Sequence, residues 1–290
     1  MIRIRAISRG DRAVKAGREK RNPQEGKDVT RLKKCACIEP MYSELDFYSR
    51  FRAAKEDGFD AVEFWSWTDK DLDRTRAAAR EAGIEILGFN GDAGYSLVDP
   101  AQKEKYLDFL KQSVESARKL GAKSLTIHSN ALGDGGIVLN HYDELSDTVK
   151  LCAMYGTLLD CAKIAEDSGI LLNLEALNVT TDHVGNFLKN TRMAAEITRL
   201  IGSPMLKVLY DAYHMQLNEG SVCDTIRAYG DQFGHVHVAD APGRHEPGTG
   251  EMNYHTIFAC LEEIGYRGML GFELIPKTTT KEAVRAIMSY

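Results

Sequence analysis

Residues 85–90, EILGFN, and residues 124–128, SLTIH, frame the stretch of sequence that decides the fold. Both are short apolar runs of the length expected for buried strands. Between them, Asp99-Pro100 predicts the start of a helix, since Asp is a common N-cap and proline fits the first turn. The helical spacing of apolar residues stops at Leu120, and Gly121 follows at the position where helices commonly end with glycine. The stretch therefore predicts a strand–helix–strand unit.

The same alternation continues in both directions from this unit. Eight apolar runs predict eight strands: Cys35–Glu39, Ala61–Trp65, Glu85–Asn90, Ser124–His128, Leu171–Ala176, Leu206–Asp211, His235–Ala239 and Leu270–Leu274. No Pro/Gly-rich linker separates the units, so residues 35–290 are predicted to form one (β/α)8 TIM barrel, the catalytic domain. A doubly wound sheet is the alternative, but no G-x-G-x-x-G follows the first strand.

The composition is that of an ordinary globular enzyme, with 43% apolar and 27% charged residues. No run approaches the roughly 18 consecutive apolar residues that a membrane span needs, so no membrane partner is expected. The six cysteines are scattered, which favours free thiols in a reducing compartment and predicts a cytoplasmic protein.

The charge is unevenly distributed along the chain. Residues 1–34 hold 12 Lys and Arg against 4 Asp and Glu, and lack the apolar segment of a secretory signal. They are predicted to be a basic N-terminal extension outside the core. The remaining residues carry a net charge of −13, and such an acidic body argues against a nucleic-acid partner.

Polar residues stand at the end of every predicted strand, where a TIM barrel builds its active site. They are Glu39, Glu63, Asn90, His128, Glu175, Asp211, His237 and Glu273. The last four interrupt strongly apolar surroundings on four consecutive strands. A buried carboxylate is costly unless it is paired or bound to a metal. Three carboxylates and an imidazole on one rim therefore predict a divalent metal site, with a salt-bridge network as the alternative.

The donor set limits which metal fits. Three carboxylates and one imidazole suit Mn²⁺ or Mg²⁺, with Co²⁺ possible, better than a tetrahedral structural zinc site. Four protein ligands leave about two positions of an octahedron for substrate oxygens.

Three motifs carry a family resemblance. ADAPGRHEPGTGEMNY at residues 239–254, LEALN at 174–178 and YDAYHMQ at 210–216 resemble those of xylose isomerase-like barrels, most of all hydroxypyruvate isomerases and ketose 3-epimerases. The resemblance implies metal ligation by Glu175, Asp211, His237 and Glu273, and substrate contacts by His214 and Arg244. It also implies that a hydrogen moves between adjacent carbons through an enediolate, with Glu175 and Glu273 as the acid/base pair.

Other residues are candidates for the pocket lining. Glu63 and His128 end strands 2 and 4 and could pair with each other, Asn90 and Asn178 are candidates for hydroxyl contacts, and Trp65 could shield the pocket from water. For Arg244, an ion pair with Glu246 is the alternative.

The expected activity is interconversion of a small hydroxy-carbonyl compound such as hydroxypyruvate and tartronate semialdehyde. A ketose 3-epimerase and the barrel subunit of a metal-dependent C-glycoside-cleaving lyase use similar ligands. A non-catalytic sugar-binding barrel would not need two carboxylates at one metal. An endonuclease IV-like hydrolase is disfavoured, because strand 3 ends in Asn90 rather than His. The sequence leaves a homo-oligomer open.

Overall fold

Eight parallel strands close on one another in the computed structural model, which describes residues 32–290. They are β1 (Lys33–Cys37), β2 (Ala61–Phe64), β3 (Glu85–Asn90), β4 (Ser124–Ile127), β5 (Leu171–Glu175), β6 (Leu206–Asp211), β7 (Phe233–His237) and β8 (Met269–Phe272). Each strand pairs with the next along the chain, and β8 pairs with β1, so that Lys33 stands opposite Met269. The predicted TIM barrel is confirmed.

Helices follow the strands and cover the outside of the barrel. In the described residues they are α1 (Phe47–Glu56), α2 (Leu72–Ala82), α3 (Lys103–Leu120), α4 (Asp147–Ser168), α5 (Thr191–Ile201), α6 (Ala212–Asn218), α7 (Val222–Tyr229), α8 (Tyr254–Glu263) and α9 (Thr280–Met288). Short 3-10 turns occupy Pro100–Gln102, Asp134–Gly136 and Gly230–Gln232. None of the described helices is long and apolar enough to cross a membrane.

The helix predicted after Asp99 begins with a tighter turn than expected. The Asp99 side chain accepts a hydrogen bond from the amide of Ala101, and Pro100 opens a 3-10 turn before α3 proper. Gly121 ends α3 in the left-handed region, at φ 76°, as its position after the apolar pattern predicts.

Two strands begin two residues earlier than the sequence pattern predicts. β1 starts at Lys33 rather than Cys35, and β7 starts at Phe233 rather than His235. The first difference arises because Lys34 is charged and so does not count as part of an apolar run. In the structure its stem is buried, and its Nζ donates to the carbonyl of Ile287 at 2.7 Å. The barrel thus includes Lys33 and Lys34, which were predicted to belong to the basic extension. Residues 1–31 of that extension lie outside the described part of the chain.

Deletion of residues 1–31 is expected to leave stability unchanged, because their composition offers little apolar surface for a core. Deletion of residues 1–34 should lower the melting temperature by about 5 °C or more, since it removes the buried Lys34 bonds to Ile287 and to Asp60 Oδ2. Thermal unfolding of both truncated proteins measures the difference. Equal melting temperatures would contradict the assigned start of the barrel.

Candidate metal centre and active site

The four donors predicted to bind a metal lie together at the carboxyl end of the barrel. Glu175, Asp211 and His237 are the last residues of β5, β6 and β7, and Glu273 follows β8 directly. All four are buried, and one ligand atom of each lies within 4.8 Å of the others. Opposite ligands of an ion bound at 2.0–2.6 Å are about 4–5 Å apart, so the spacing suits a single divalent cation.

Unpartnered atoms within this cluster also favour a cation. Glu175 Oε1 and Asp211 Oδ2 are buried and have no hydrogen-bond partner among residues 32–290. His237 Nδ1 lies 4.0 Å from Glu175 Oε1 and 3.9 Å from Asp211 Oδ2. Buried charges left in this way are costly. A cation shared by these atoms would satisfy them.

His237 presents its Nδ1 to the cluster because Glu63 holds the opposite side of the ring. Glu63 Oε1 lies 3.3 Å from His237 Nε2, and Glu63 Oε2 lies 2.9 Å from His235 Nε2. Burial opposes the charge on Glu63, but the two imidazoles outweigh it and lower the pKa of Glu63 to about 2. A carboxylate behind a ligating histidine fixes its tautomer and orientation. Glu63 thus lies behind His237 as seen from the cluster, and it does not pair with His128.

Gly271 has no side chain, and this leaves space for the buried side chains of Glu63, His235 and His237. A Cβ added there would lie 2.3 Å from Glu63 Oε1, 2.6 Å from His235 Nε2 and 2.7 Å from His237 Cδ2. Any side chain at this position of β8 would push the imidazole of His237 away from the other ligands.

Gly271→Ala is expected to weaken Mn²⁺ binding by roughly 10–100-fold, the usual cost of disturbing the partner of a ligand. Equilibrium dialysis of the variant and the parent protein measures the change. Gly156→Ala is the matched control, because no atom lies within 4 Å of a Cβ there and alanine suits the interior of α4. If Gly271→Ala binds Mn²⁺ as tightly as the parent protein, the proposal that Glu63 orients His237 for the cation is contradicted.

His128 holds the second oxygen of Glu175. Its Nε2 lies 3.2 Å from Glu175 Oε2, and its Nδ1 lies 3.1 Å from Asp92 Oδ1. Burial lowers the pKa of His128, but the charges and hydrogen bonds of Asp92 and Glu175 outweigh it and raise the pKa to about 10. His128 is therefore an imidazolium that orients Glu175 and keeps its charge balanced.

Glu273 receives donors on both oxygens. The indole of Trp65 donates to Oε1, and the guanidinium of Arg244 donates to Oε2. His237 Nδ1 is 3.2 Å from the same Oε2. Burial raises the pKa of Glu273, but Arg244 and His237 outweigh it and hold the pKa well below its usual range. Trp65 remains 40% exposed, so its ring forms part of the rim. Arg244 pairs with Glu273, and the alternative ion pair with Glu246 is not formed.

His214 lies against the cluster on α6. Its Nε2 is 3.5 Å from Asp211 Oδ2 and 3.8 Å from Glu175 Oε1, while Asn178 Nδ2 lies 2.7 Å from its Nδ1. Burial and the nearby cation of Arg244 hold the pKa of His214 well below its ordinary value, so the ring is neutral. Asn178 thus orients His214 from behind.

Asn90 makes no side-chain hydrogen bond to the cluster in the described part of the chain. It is half-buried, and its backbone amide donates to the carbonyl of Trp65 at 3.0 Å.

Three polar residues near the site were not predicted from the sequence. Asp92 follows β3 and binds His128, His235 lies on β7 and binds Glu63, and His183 follows β5 with its Nδ1 2.7 Å from the carbonyl of Gly136. Burial lowers the pKa of His183, so this ring is also neutral. The position of Asp92 two residues after β3 is the signal that could have identified it, whereas His183 lies farther from a strand, in the loop after β5.

Comparison with known proteins agrees with this arrangement. Residues 51–290 match the family described as "Xylose isomerase-like TIM barrel". Hydroxypyruvate isomerase of Escherichia coli is 30% identical over 267 residues, which cover 89% of this chain and 99% of that protein. A 2-oxo-tetronate isomerase of Cupriavidus necator is 28% identical over 264 residues, or 88% of this chain and 97% of that protein.

A solved structure with the same fold comes from Brucella melitensis. That structure is of an AP endonuclease, family 2. It superposes with a TM-score of 0.82 at 26% identity, covering 89% of this chain and 99% of that one.

Proposed function

Because the chain belongs to the xylose isomerase-like TIM barrel family, we propose that it interconverts a small hydroxy-carbonyl compound of the hydroxypyruvate and tartronate semialdehyde type. It is an enzyme of the isomerase and epimerase class. The observation that carries the proposal is the cluster of Glu175, Asp211, His237 and Glu273, in which one donor atom of each residue lies within 4.8 Å of the others. Glu175 Oε1 and Asp211 Oδ2 in this cluster are buried and have no hydrogen-bond partner in the described residues.

The four residues would hold Mn²⁺ or Mg²⁺, with Co²⁺ possible, since oxygen-rich donor sets favour these ions. Such a cation would polarise the carbonyl and hydroxyl oxygens of the substrate and thereby make the hydrogen on the neighbouring carbon more acidic.

The two glutamates are proposed to move the proton. Glu175 and Glu273 stand on β5 and just after β8, so they reach the centre from different strands. His128 holds Oε2 of Glu175 and leaves its Oε1 directed to the cluster. Trp65 holds Oε1 of Glu273, and its Oε2 faces the cluster while it accepts from Arg244. One carboxylate would remove the proton from carbon, and the other would return it to the adjacent carbon.

Arg244 and His214 are proposed to hold substrate oxygens. Arg244 Nη2 lies 3.6 Å from Asp211 Oδ2 in addition to its pair with Glu273, so its positive charge is at the centre of the cluster. A guanidinium there can balance negative charge that develops on substrate oxygens.

Exchange in D₂O tests the proposal. Protein loaded with Mn²⁺ is incubated with hydroxypyruvate, tartronate semialdehyde and a panel of ketoses, and NMR follows deuterium on each carbon. The proposed isomerase forms tartronate semialdehyde from hydroxypyruvate with deuterium at C2. Exchange on a ketose without movement of its carbonyl would favour a 3-epimerase instead. Cleavage of duplex DNA with an abasic site, in place of exchange, would overturn the proposal.

A further inference from the structure

A pair of cysteines lies outside the metal cluster, where α7 packs against α8. All six cysteines of the chain are free thiols, and the thiols of Cys223 and Cys260 are hydrogen-bond partners of each other. We propose that this pair is a site of reversible oxidation, at which hydrogen peroxide converts the two thiols into a disulfide bond. The inference concerns a modification of the protein and does not depend on the proposed function.

Contacts between the two helices bring both sulfurs to the same seam. Cys223 is the second residue of α7, and its Sγ lies 3.9 Å from the carbonyl oxygen of Thr256 in α8. Thr256 is one helical turn before Cys260, so its carbonyl oxygen points toward the backbone of Cys260. Arg227, one turn after Cys223, reaches across the seam, and its Nη2 lies 3.3 Å from Cys260 Sγ. The packing of α7 on α8 thus places the two thiols side by side.

The two sulfurs have different surroundings, which gives them different roles. Burial, together with the hydrogen bond to Cys260, raises the pKa of Cys223 to about 11, so Cys223 keeps its proton at neutral pH. Cys260 instead accepts from the guanidinium of Arg227, which Glu263 holds through Nε at 3.1 Å and Nη2 at 3.0 Å. A cation beside a sulfur favours the thiolate, which is the reactive form. Cys260 is therefore the nucleophile, and Cys223 is the thiol that closes the disulfide.

The exposure of the pair selects the oxidant. Cys260 is only 2% exposed, whereas Cys223 beside it is half-buried. A peroxide molecule, which is close to water in size, can reach the Cys260 sulfur along Cys223, but the disulfide of another protein cannot. In the reducing compartment that the scattered cysteines predict, the pair stays reduced until such an oxidant is present.

The oxidation takes place in two steps. The Cys260 thiolate attacks one oxygen of hydrogen peroxide, so that an S–O bond forms, the O–O bond breaks and the leaving oxygen takes up a proton to become water. Cys223 then gives its proton to solvent and attacks the Cys260 sulfur, which forms the S–S bond, breaks the S–O bond and releases a second water. The two thiols lose two electrons, and the peroxide is reduced to two waters. Thiol exchange with a dithiol reductant restores both cysteines.

Mass spectrometry of the full-length protein tests the site. The protein is treated with hydrogen peroxide, its remaining thiols are blocked with N-ethylmaleimide, and it is digested with trypsin without reduction. The expected product joins the tryptic peptides 208–227 and 245–267 with the loss of two hydrogens, and dithiothreitol separates them again. Sulfinic acid at either cysteine without this cross-link, or a cross-link to another cysteine in its place, would overturn the proposal.

Serine variants show whether the pair acts alone. Cys223→Ser removes the second thiol from a half-buried position, so the cross-link should disappear and dimedone should trap sulfenic acid at Cys260. Cys152→Ser is the matched control, because Cys152 is an exposed cysteine on α4, away from the seam. This control should form the cross-link at the rate of the parent protein. Loss of the cross-link in Cys152→Ser would mean that the oxidation passes through Cys152, and the proposed pair would be overturned.

Arg227→Gln tests which cysteine is the nucleophile. Glutamine suits the interior of a helix but carries no charge, so the cross-link should form roughly three- to tenfold more slowly. Arg118→Gln, which removes an exposed guanidinium paired with Glu115 on α3, should keep the parental rate. An unchanged rate in Arg227→Gln, or an equal loss in both variants, would overturn the role given to Cys260.

Discussion

Glu175→Gln and Glu273→Gln are each expected to reduce turnover by roughly 10²–10⁴-fold, the usual contribution of general acid–base catalysis. Glutamine keeps the shape and one oxygen ligand but cannot accept a proton. If one carboxylate removes the proton and the other returns it, neither variant can complete the reaction. Both should still bind Mn²⁺, more weakly, because three of the four donors remain unchanged.

The control is a Glu-to-Gln substitution at a residue outside the cluster. Glu219 is half-buried and accepts hydrogen bonds from the backbone and hydroxyl of Thr191, so Glu219→Gln alters a structural carboxylate outside the site. Its turnover should stay within about threefold of the parent, on the scale of surface changes. Metal content and melting temperature, measured on all three variants, separate loss of catalysis from loss of the cation or of the fold.

The fate of the substrate hydrogen distinguishes two mechanisms. A proton carried by a carboxylate exchanges with solvent, so deuterium from labelled substrate should be lost to water in the parent protein. A direct hydride shift would retain the label in the product. Full retention, together with near-normal turnover in either glutamine variant, would contradict the two-glutamate mechanism and leave the metal site unaffected.

The barrel and the metal cluster were predictable because each rests on a local pattern. Glu175 and Asp211 end apolar runs, and in a parallel barrel the ends of consecutive strands must meet on one rim. Any chain that folds this way brings those side chains together, whatever the details of its loops. The boundaries of β1 and β7 were less predictable, since Lys34 is charged at one end and buried along its stem.

The partners of the ligands were not predictable, because they depend on contacts between distant strands. Glu63 and His235 are 172 residues apart in the sequence, and only closure of the barrel brings them together. Their contact also needs the space that the missing side chain of Gly271 provides. The role of Asp92 depends likewise on the fold bringing it to His128. The side-chain orientation of Trp65, with its indole on Glu273, could not be derived from the alternation of residues along β2.

The largest effect of all is expected from removal of the cation. Dialysis against a chelator should reduce turnover to the background rate, and Mn²⁺ or Mg²⁺ should restore it, because the three carboxylates alone cannot polarise a carbonyl. Cation at about 100 times its Kd should also stabilise the fold by about 2.7 kcal/mol, which corresponds to a rise in melting temperature of roughly 5–10 °C. Activity that survives complete chelation would rule out a metal-dependent reaction.

The pH dependence of cation binding gives the sharpest test of the ligand set. Burial, together with repulsion from Glu175 and Glu273, raises the pKa of Asp211 to about 7 against the lowering effect of Arg244. Burial lowers the pKa of His237, but the charges of Glu63 and Glu273 outweigh it and raise that pKa well above its ordinary value. Below about pH 7 both groups carry a proton in the cation-free protein, and both protons must leave when the cation binds.

The affinity for Mn²⁺ should therefore rise about 100-fold per pH unit below pH 7, and about tenfold per unit above it, until His237 is deprotonated. In Asp211→Asn only His237 releases a proton when the cation binds. The affinity of this variant for Mn²⁺ should therefore be weaker at every pH, and it should rise about tenfold per pH unit on both sides of pH 7. Calorimetric titration at several pH values from 5.5 to 8.5 measures both slopes. Identical slopes in the parent and in Asp211→Asn would show that Asp211 is already ionised across this range and would contradict its raised pKa, whereas equal affinities as well as equal slopes would exclude Asp211 as a ligand, since a carboxylate that binds the cation must contribute to the affinity.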